Sequence, residues 1–311
     1  MHFESEAVEA FSTTVLVITH TIRMRHLTGH GSTAFFAEVR NNIKESIMNN
    51  RFASRLRPFG SVGFTFLLSM ACLVSAQAPS AARRDQTAVQ TVTQALNAMG
   101  GLAAWSQVTD ATVKGQFQSP ASSDTHERVT WKSRGMSIRY EYSSPDGKSV
   151  AVVDQGKGHR QDSTGNVTEM DHRVSLTLFP AHLPGVALLS LLNSPDRSLS
   201  VVPATGSESN TIHVRSEKQM AKPGFSRITR QDWYFDLTTG LPIRVEFYLP
   251  DLKNQRFDGT ATVTYTRWQT ASSIQIPQTM QILYDGVLQS TVSLGAPSFN
   301  QGLSVSDFQL Q

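Results

Sequence analysis

Cysteine is nearly absent from this chain of 311 residues: the only one, Cys72, lies inside an apolar run near the N-terminus. If a signal peptidase removes that run, the mature protein has no disulfide, no thiol nucleophile and no thiolate metal site. The preceding residues, Ser69-Met70-Ala71, lack the leucine that a lipobox carries three positions before its cysteine. Lipoprotein processing at Cys72 remains the alternative.

Charge is also scarce. Charged side chains make up 17% of the residues, and the formal net charge is +3. About two of these charge units lie before residue 77, so the rest of the chain is close to neutral. With no basic block and no interleaving of aromatic and basic residues, the sequence predicts no nucleic acid partner.

Catalytic and cofactor motifs are missing too. From residue 77 onward there is no Gly-x-Ser-x-Gly elbow, Walker loop, dinucleotide fingerprint or His-Glu-x-x-His helix. Asp171 and His172 are adjacent and therefore point apart. No two of the later histidines have metal-ligand spacing, which favours solvated or core roles; they are His126, His159, His172, His182 and His213. We predict no catalytic residue, no metal site and no cofactor; a secreted hydrolase is the enzymatic alternative.

The first quarter of the chain does contain a targeting pattern. A basic stretch, 51–57, precedes an uncharged apolar run, 60–74, and small residues follow directly. This succession is typical of a secretory signal peptide and is too short to favour a permanent membrane span. We expect translation from Met48, cleavage after Ala76 and export to the periplasm.

This pattern also predicts how the chain is divided. Residues 1–47 are interpreted as an unstructured upstream mis-start, 48–76 as the signal peptide, 77–84 as a linker and 85–311 as one domain. A genuine cytoplasmic extension held by a signal anchor is the alternative for the first segment. Some 235 residues remain from position 77, which is enough for one sizeable core.

The mature region opens with one amphipathic helix and continues as strands. Asp85 is a plausible N-cap, apolar residues recur at helical spacing between 89 and 99, and Gly100-Gly101 ends the helix. From Asp110 the apolar period changes to two, and turn signals separate the repeats. Strands are predicted at 113–117, 128–134, 136–142, 148–154, 198–202, 211–216, 260–269, 278–284 and 287–294, with a further pair between 159 and 170. Ten or so strands with little helix favour one antiparallel sheet curled into a barrel or half-barrel.

The clearest sheet signal is a hairpin predicted over 227–249. Ile243, Val245, Phe247 and Leu249 point one way and the residues between them the other, the period of a strand with one buried face. Gly240 supplies the positive φ of a tight reversal, and Pro242 removes a donor where the second strand begins.

A leucine-rich stretch, 171–193, interrupts the strand pattern. Pro180 and Pro184 divide it into two short helical pieces, the second beginning with Pro184 in its first turn. It is too short and broken to span a bilayer. Two interpretations stay open: a helix that plugs the mouth of the barrel as ordinary core, and a movable lid over an apolar cavity.

Several motifs resemble one known family. They are Phe235-Asp236-x-x-Thr239-Gly240-Leu241-Pro242, Tyr265-Thr266-Arg267-Trp268 running to Ile276-Pro277, Tyr284-Asp285-Gly286, and Asn300-Gln301-Gly302-Leu303 followed by Phe308. Together they look like the outer-membrane lipoprotein carrier family, which includes LolA, LolB and related periplasmic lipid-binding proteins.

The resemblance implies an unclosed β-barrel wrapped over helices, with an apolar cavity for acyl chains. It also implies an arginine that holds the lid shut; Arg128, Arg134 and Arg139 are the positions considered, and none is singled out. The turn between Tyr265 and Pro277 lacks the glycine common in the family.

The inside of the curved sheet is the remaining candidate for a site, because ligand pockets are concave and mainly apolar. Ten residues are predicted to line it or its lid: Trp131, Ile138, Tyr140, Val152, Leu188, Leu192, Val245, Phe247, Met280 and Ile282. Each also suits plain core, since a small barrel needs a filled interior. We predict a monomeric periplasmic carrier of a lipid, acyl chain or lipidated protein, served by a membrane-bound donor or acceptor. An envelope lipid sensor is the alternative.

Overall fold

The structure is a computed structural model that describes residues 82–120, 127–144, 147–203, 210–250 and 258–310. The predicted mis-start and signal peptide lie outside these residues, as does most of the predicted linker. Within the described chain, Arg84 forms a parallel bridge with Leu199. The last linker residues therefore lie beside the sheet.

The first helices form as their sequence indicates. Helix α1 (Gln86–Ala98) begins after Asp85, whose carboxylate accepts a hydrogen bond from the Thr87 amide. Its buried side includes Val92, Leu96 and Met99, which confirms the predicted apolar stripe. Helix α2 (Leu102–Ser106) follows directly and buries Trp105, whose indole Nε1 donates to Met99 O at 3.1 Å.

In the described residues, fourteen strands, rather than the ten or so expected, form a single antiparallel sheet. They are β1 (Ala111–Gln118), β2 (Glu127–Arg134), β3 (Ser137–Ser144), β4 (Gly147–Asp154), β5 (Lys157–Gln161), β6 (Val167–Glu169), β7 (Arg197–Val202), β8 (Thr211–Lys218), β9 (Gln231–Asp236), β10 (Pro242–Pro250), β11 (Asp258–Ala271), β12 (Ile274–Tyr284), β13 (Val287–Leu294) and β14 (Ser298–Phe299). The order is β6-β5-β4-β3-β2-β1-β13-β12-β11-β10-β9-β8-β7, and β14 pairs with β1. Because β6 and β7 end this path, the sheet is not closed, and we call it the half-barrel.

The inner face of the half-barrel carries the main core. Alternate residues of its strands join the buried side of α1 and the helical segment, defined here as residues 171–193, in one apolar cluster. A smaller cluster of Val150, Val152 and Phe308 lies on the outer face of β4. Phe308 ends a 3₁₀-helix, Val305–Phe308, which packs there.

In two of the motifs that carry the family resemblance, an aspartate carboxylate accepts hydrogen bonds from backbone amides. At the β9–β10 turn, Asp236 Oδ1 accepts hydrogen bonds from the amides of Thr238 and Thr239, at 3.0 and 2.7 Å. At the C-terminal motif, the buried carboxylate of Asp110 accepts from the amides of residues 301–303 at 2.8 to 3.2 Å. Each motif therefore satisfies backbone donors that a turn leaves unpaired.

Two local predictions were wrong. The first arm of the hairpin was expected to be a strand from residue 227, but a helix, α5 (Pro223–Ile228), occupies this position and β9 starts at Gln231. Strand β12 was expected to begin at residue 278 and begins at Ile274 instead. Ser272 and Ser273 both adopt positive φ between β11 and β12, which makes a two-residue turn without the glycine or asparagine that usually signals one.

The helical segment divides as predicted. Helix α3 (His172–Thr177) and helix α4 (Pro184–Asn193) are separated by the residues around Pro180, and Pro184 stands in the first turn of α4. Nearly every residue of α4 before Asn193 is buried or half-buried. A Cβ added to Gly185 would fall within the Trp105 ring, so only glycine permits this close approach to α2.

None of the helices in the described residues is both long and apolar enough to cross a membrane.

Candidate ligand site inside the half-barrel

Nine of the ten predicted site residues join the core between the inner face and the helical segment. Trp131, Ile138 and Tyr140 come from β2 and β3, Val245 and Phe247 from β10, and Met280 and Ile282 from β12; Leu188 and Leu192 come from α4. All are buried except Leu192, which is half-buried against the same core.

Val152 is the exception. It belongs to the outer cluster with Phe308, while its neighbours Ala151 and Val153 face the inner core. It lines a cavity of about 510 Å³ on the outer face, together with Lys157, His159 and the C-terminal residues 308–310. β4 is apolar on both faces, so the sequence does not show which valines point inward.

The interior next to the helical segment is filled with aromatic side chains. The Phe179 ring lies 4.9 Å from the Phe247 ring, nearly perpendicular to it, and 6.0 Å from the Trp233 ring. These are favourable edge-to-face and tilted arrangements. In this state the helical segment serves as part of the core.

Three side chains from outside the helical segment hold it by its carbonyl oxygens. Tyr140 Oη donates to Phe179 O at 3.2 Å, and Tyr265 Oη donates to Ala181 O at 2.9 Å. At the end of α4, Arg84 donates to Leu192 O at 2.8 Å and to Leu191 O at 3.0 Å. The last carbonyls of a helix have no partner within it, so Arg84 caps α4 and also favours the negative end of its dipole.

Both tyrosine hydroxyls are uncharged donors. Burial raises the pKa of Tyr140 and of Tyr265 well above the ordinary value of 10.0. They therefore keep their protons at any physiological pH and can donate to carbonyl oxygens throughout.

The arginines considered from the family resemblance occupy other places. Arg139 pairs with Glu141 at 2.7 Å and donates to the carbonyls of Asp307 and Gln309 near the outer cluster. Arg128 lines a surface cavity with Lys114 and Ser143, and Arg134 is exposed. Arg84 is the arginine that bonds to the carbonyls of α4.

A histidine of the helical segment lies in the same interior. The His182 ring is 4.8 Å from the Trp131 ring and 6.2 Å from the Tyr140 ring, centroid to centroid. Only 3% of His182 is exposed, and burial lowers its pKa from 6.5 to about 3. Among the described residues, neither of its ring nitrogens has a hydrogen-bond partner, and the same holds for Trp131 Nε1. An unsatisfied buried donor or acceptor costs about 1–3 kcal/mol.

In the described ranges, no three or more His, Cys, Asp or Glu side chains come together as metal ligands. Of the other histidines in the described ranges, His213 lies on the outer face, where its Nε2 is 2.7 Å from Asp232 Oδ1.

No family model matches the chain, and no curated protein matches it. Solved structures do. A putative outer membrane lipoprotein-sorting protein domain from Vibrio parahaemolyticus has a TM-score of 0.47 at 12% identity, over 72% of this chain and 96% of that one. A DUF1329 family protein from Desulfovibrio piger also has a TM-score of 0.47, at 11% identity, over 72% and 99% of the two chains. A LolA superfamily protein from Nitrosomonas europaea has a TM-score of 0.45 at 10% identity, over 71% and 97%.

Sequence reasoning missed several residues of this interior. Tyr265 was noted only as part of a motif of the family resemblance and was not among the predicted site residues. His182 was grouped with the scattered histidines, because nothing local to it shows the Trp131 ring, 51 positions away. Arg84 was assigned to a linker. In each case the partner is distant in sequence, so no local pattern could have shown the contact.

Proposed function

We propose that the half-barrel is a periplasmic carrier that holds a lipid, an acyl chain or a lipidated protein between its inner face and the helical segment. The observation that carries this proposal is how the helical segment is attached. Backbone hydrogen bonds such as Leu178 N to Val174 O and Leu183 N to Pro180 O shape it from within. Tyr140, Tyr265 and Arg84 then hold it by their side chains.

Such an attachment suits a segment that moves as a unit. Its displacement breaks these side-chain hydrogen bonds and separates apolar surfaces, but it leaves the strand pairing of the sheet intact. Prolines at the breaks between its helical pieces restrict bending to those points. We infer that an entering acyl chain takes the place of the helical segment against the inner face.

The energetics favour exchange of one apolar surface for another. Burying an acyl chain contributes about 0.8 kcal/mol per methylene. Separating the helical segment from Phe247 and Trp233 and ordering the chain offset part of this. The affinity is then useful without being irreversible, as a carrier requires.

The test is to purify the exported protein and measure bound lipid by native mass spectrometry and the uptake of a fluorescent fatty acid. We expect lipid to co-purify. Because each hydroxyl hydrogen bond contributes about 1 kcal/mol, and the two together about 2 kcal/mol, the double variant Tyr140→Phe/Tyr265→Phe should take up the probe roughly thirtyfold faster. Tyr234→Phe is the matched control, since its hydroxyl donates to Glu246 on the outer face at 3.2 Å.

Absence of lipid together with no uptake by the wild type or the double variant would mean that the interior is ordinary packed core. Lipid binding that recruits an inner-membrane signalling protein, with no transfer to an acceptor membrane, would support the sensor instead of the carrier.

A further inference from the structure

The His182–Trp131 pair places polar ring nitrogens inside an otherwise apolar interior. Both rings are almost fully buried, yet both nitrogens of His182 and the indole Nε1 of Trp131 lack a hydrogen-bond partner in the part of the chain that the structure describes. Nearby polar groups are already engaged, because Tyr140 donates to Phe179 O and Ala181 O accepts from Tyr265. Buried polar groups in proteins are nearly always paired, so such a cluster indicates a partner from outside the chain.

The chemistry of the pair limits what that partner is. Trp131 offers one donor, and a neutral imidazole offers one donor and one acceptor. Burial keeps His182 neutral near pH 7, since its pKa is lowered to about 3. The pair therefore presents donors without positive charge. This suits the oxygen of an uncharged carbonyl, which has two lone pairs, better than a carboxylate or a phosphate, which calls for a cation.

The position of the pair points to the same partner. Trp131 belongs to the inner face and His182 to the helical segment, so the two rings meet where the segment covers the sheet. In the proposed carrier, a ligand that displaces the segment passes between them. An acyl chain attached through an ester or amide has its one polar group at the end of its methylenes, where it can enter this position.

We propose that Trp131 and His182 form a polar subsite that binds the carbonyl oxygen of an ester-linked or amide-linked acyl chain. The subsite rests on the proposed carrier function and narrows it, because it distinguishes acyl lipids from alkyl chains of equal length. Trp131 and His182 then determine specificity, while the surrounding apolar residues supply most of the affinity.

The experiment compares two fluorescent glycerophosphocholine probes of equal chain length, one with ester-linked and one with ether-linked chains. Their dissociation constants are measured on the exported protein. We expect the wild type to bind the ester probe about tenfold more tightly. His182→Phe keeps an aromatic ring and removes both nitrogens, and it should reduce this ratio to about one by weakening the binding of the ester probe.

Two further variants separate specificity from folding. His213→Phe replaces a histidine of the outer face and should leave the tenfold ratio unchanged. Trp131→Phe removes the indole donor and should also lower the ratio. His182→Phe should also raise the melting temperature of the ligand-free protein, because it removes two unpaired buried nitrogens.

Each outcome decides between the proposals. If the wild type binds both probes equally well, the subsite is overturned and the carrier stands. An ester preference that survives in both His182→Phe and Trp131→Phe also overturns the subsite. If neither probe binds and no lipid co-purifies, the carrier itself is wrong.

Discussion

The two faces of the half-barrel carry the same strands but are stabilised by different forces, as β9 and β10 show. On the inner face, Trp233 and Phe247 are buried against Phe179. On the outer face, the Arg244 guanidinium lies 3.6 Å from the centre of the Tyr234 ring, and Tyr234 stacks on His213 at 4.3 Å.

In this sheet, burial of apolar side chains stabilises the inner face, and electrostatic interactions stabilise the outer face. Ion pairs are kept outside, where water lowers the cost of charge, and aromatic and aliphatic side chains fill the inside. Around Trp131 and His182 the inner polar groups are uncharged hydroxyls and rings, which suits an interior that opens there to an uncharged ligand group. Mutations on adjacent residues of one strand can therefore separate the two kinds of stabilisation.

The largest expected effect is on β10. Phe247→Ala should lower the free energy of unfolding by about 3–5 kcal/mol, because it removes a buried ring and leaves a cavity next to Phe179. Glu246→Gln, one residue earlier on the outer face, should change it by less than about 1 kcal/mol. Urea unfolding followed by circular dichroism measures both. Similar losses for the two variants would contradict the assignment of the faces.

A pH titration sharpens the same comparison. The folded-state pKa of His182 lies below its ordinary 6.5, at about 3, because of burial. The stability of the folded state that depends on neutral His182 is therefore fully present above pH 6.5, and it is lost as the pH falls towards 3. Burial by itself would raise the pKa of the outer-face Asp232, but the hydrogen bonds from His213 and Arg215 outweigh burial and lower this pKa. The stability that the Asp232 carboxylate contributes to the folded state is present above its ordinary pKa of 3.8 and is lost only below that pH.

We expect the wild type to lose up to about 1.4 kcal/mol per pH unit below pH 6 relative to His182→Phe. The free energy of unfolding of Asp232→Asn should change with pH in parallel with that of the wild type down to about pH 4. Urea unfolding at intervals between pH 7 and pH 4 gives these differences. An identical pH dependence of His182→Phe and wild type between pH 6.5 and 5 would show that His182 is not held neutral by burial.

The smallest effect is expected at an outer ion pair. Glu141 accepts from Arg139 at 2.7 Å and lies 2.9 Å from Lys148 Nζ. Glu141→Gln should cost about 0.5 kcal/mol at low ionic strength, and the loss should shrink in about 1 M salt because exposed charges are screened. Unfolding curves at two salt concentrations test this. A loss above about 2 kcal/mol that salt does not change would contradict the contrast with the inner face.

Much of the fold could be predicted from local pattern. The helix after Asp85, the division of the helical segment at its prolines and the turn at Gly240 all depend on neighbouring residues, and all were confirmed. The predictions failed where the neighbouring residues carry no signal for the structure that forms, or where the same signal fits two structures. Ser272-Ser273 turns without glycine, and Arg227 lies in a helix that its surroundings did not indicate.

The sequence by itself determined that the chain forms one antiparallel sheet with a mainly apolar inner face, because alternation along each strand already separates the two sides. Only the tertiary structure decided which side chains meet. The hydroxyls of Tyr140 and Tyr265 reach the helical segment from strands at distant places in the sheet, and Arg84 reaches the end of α4 from 107 residues away. The tertiary structure also placed Val152 on the outer face and the His182 ring next to the Trp131 ring. The reason is physical: periodicity reports the side on which a residue lies, whereas a contact depends on strand order, register and the path of the chain between elements.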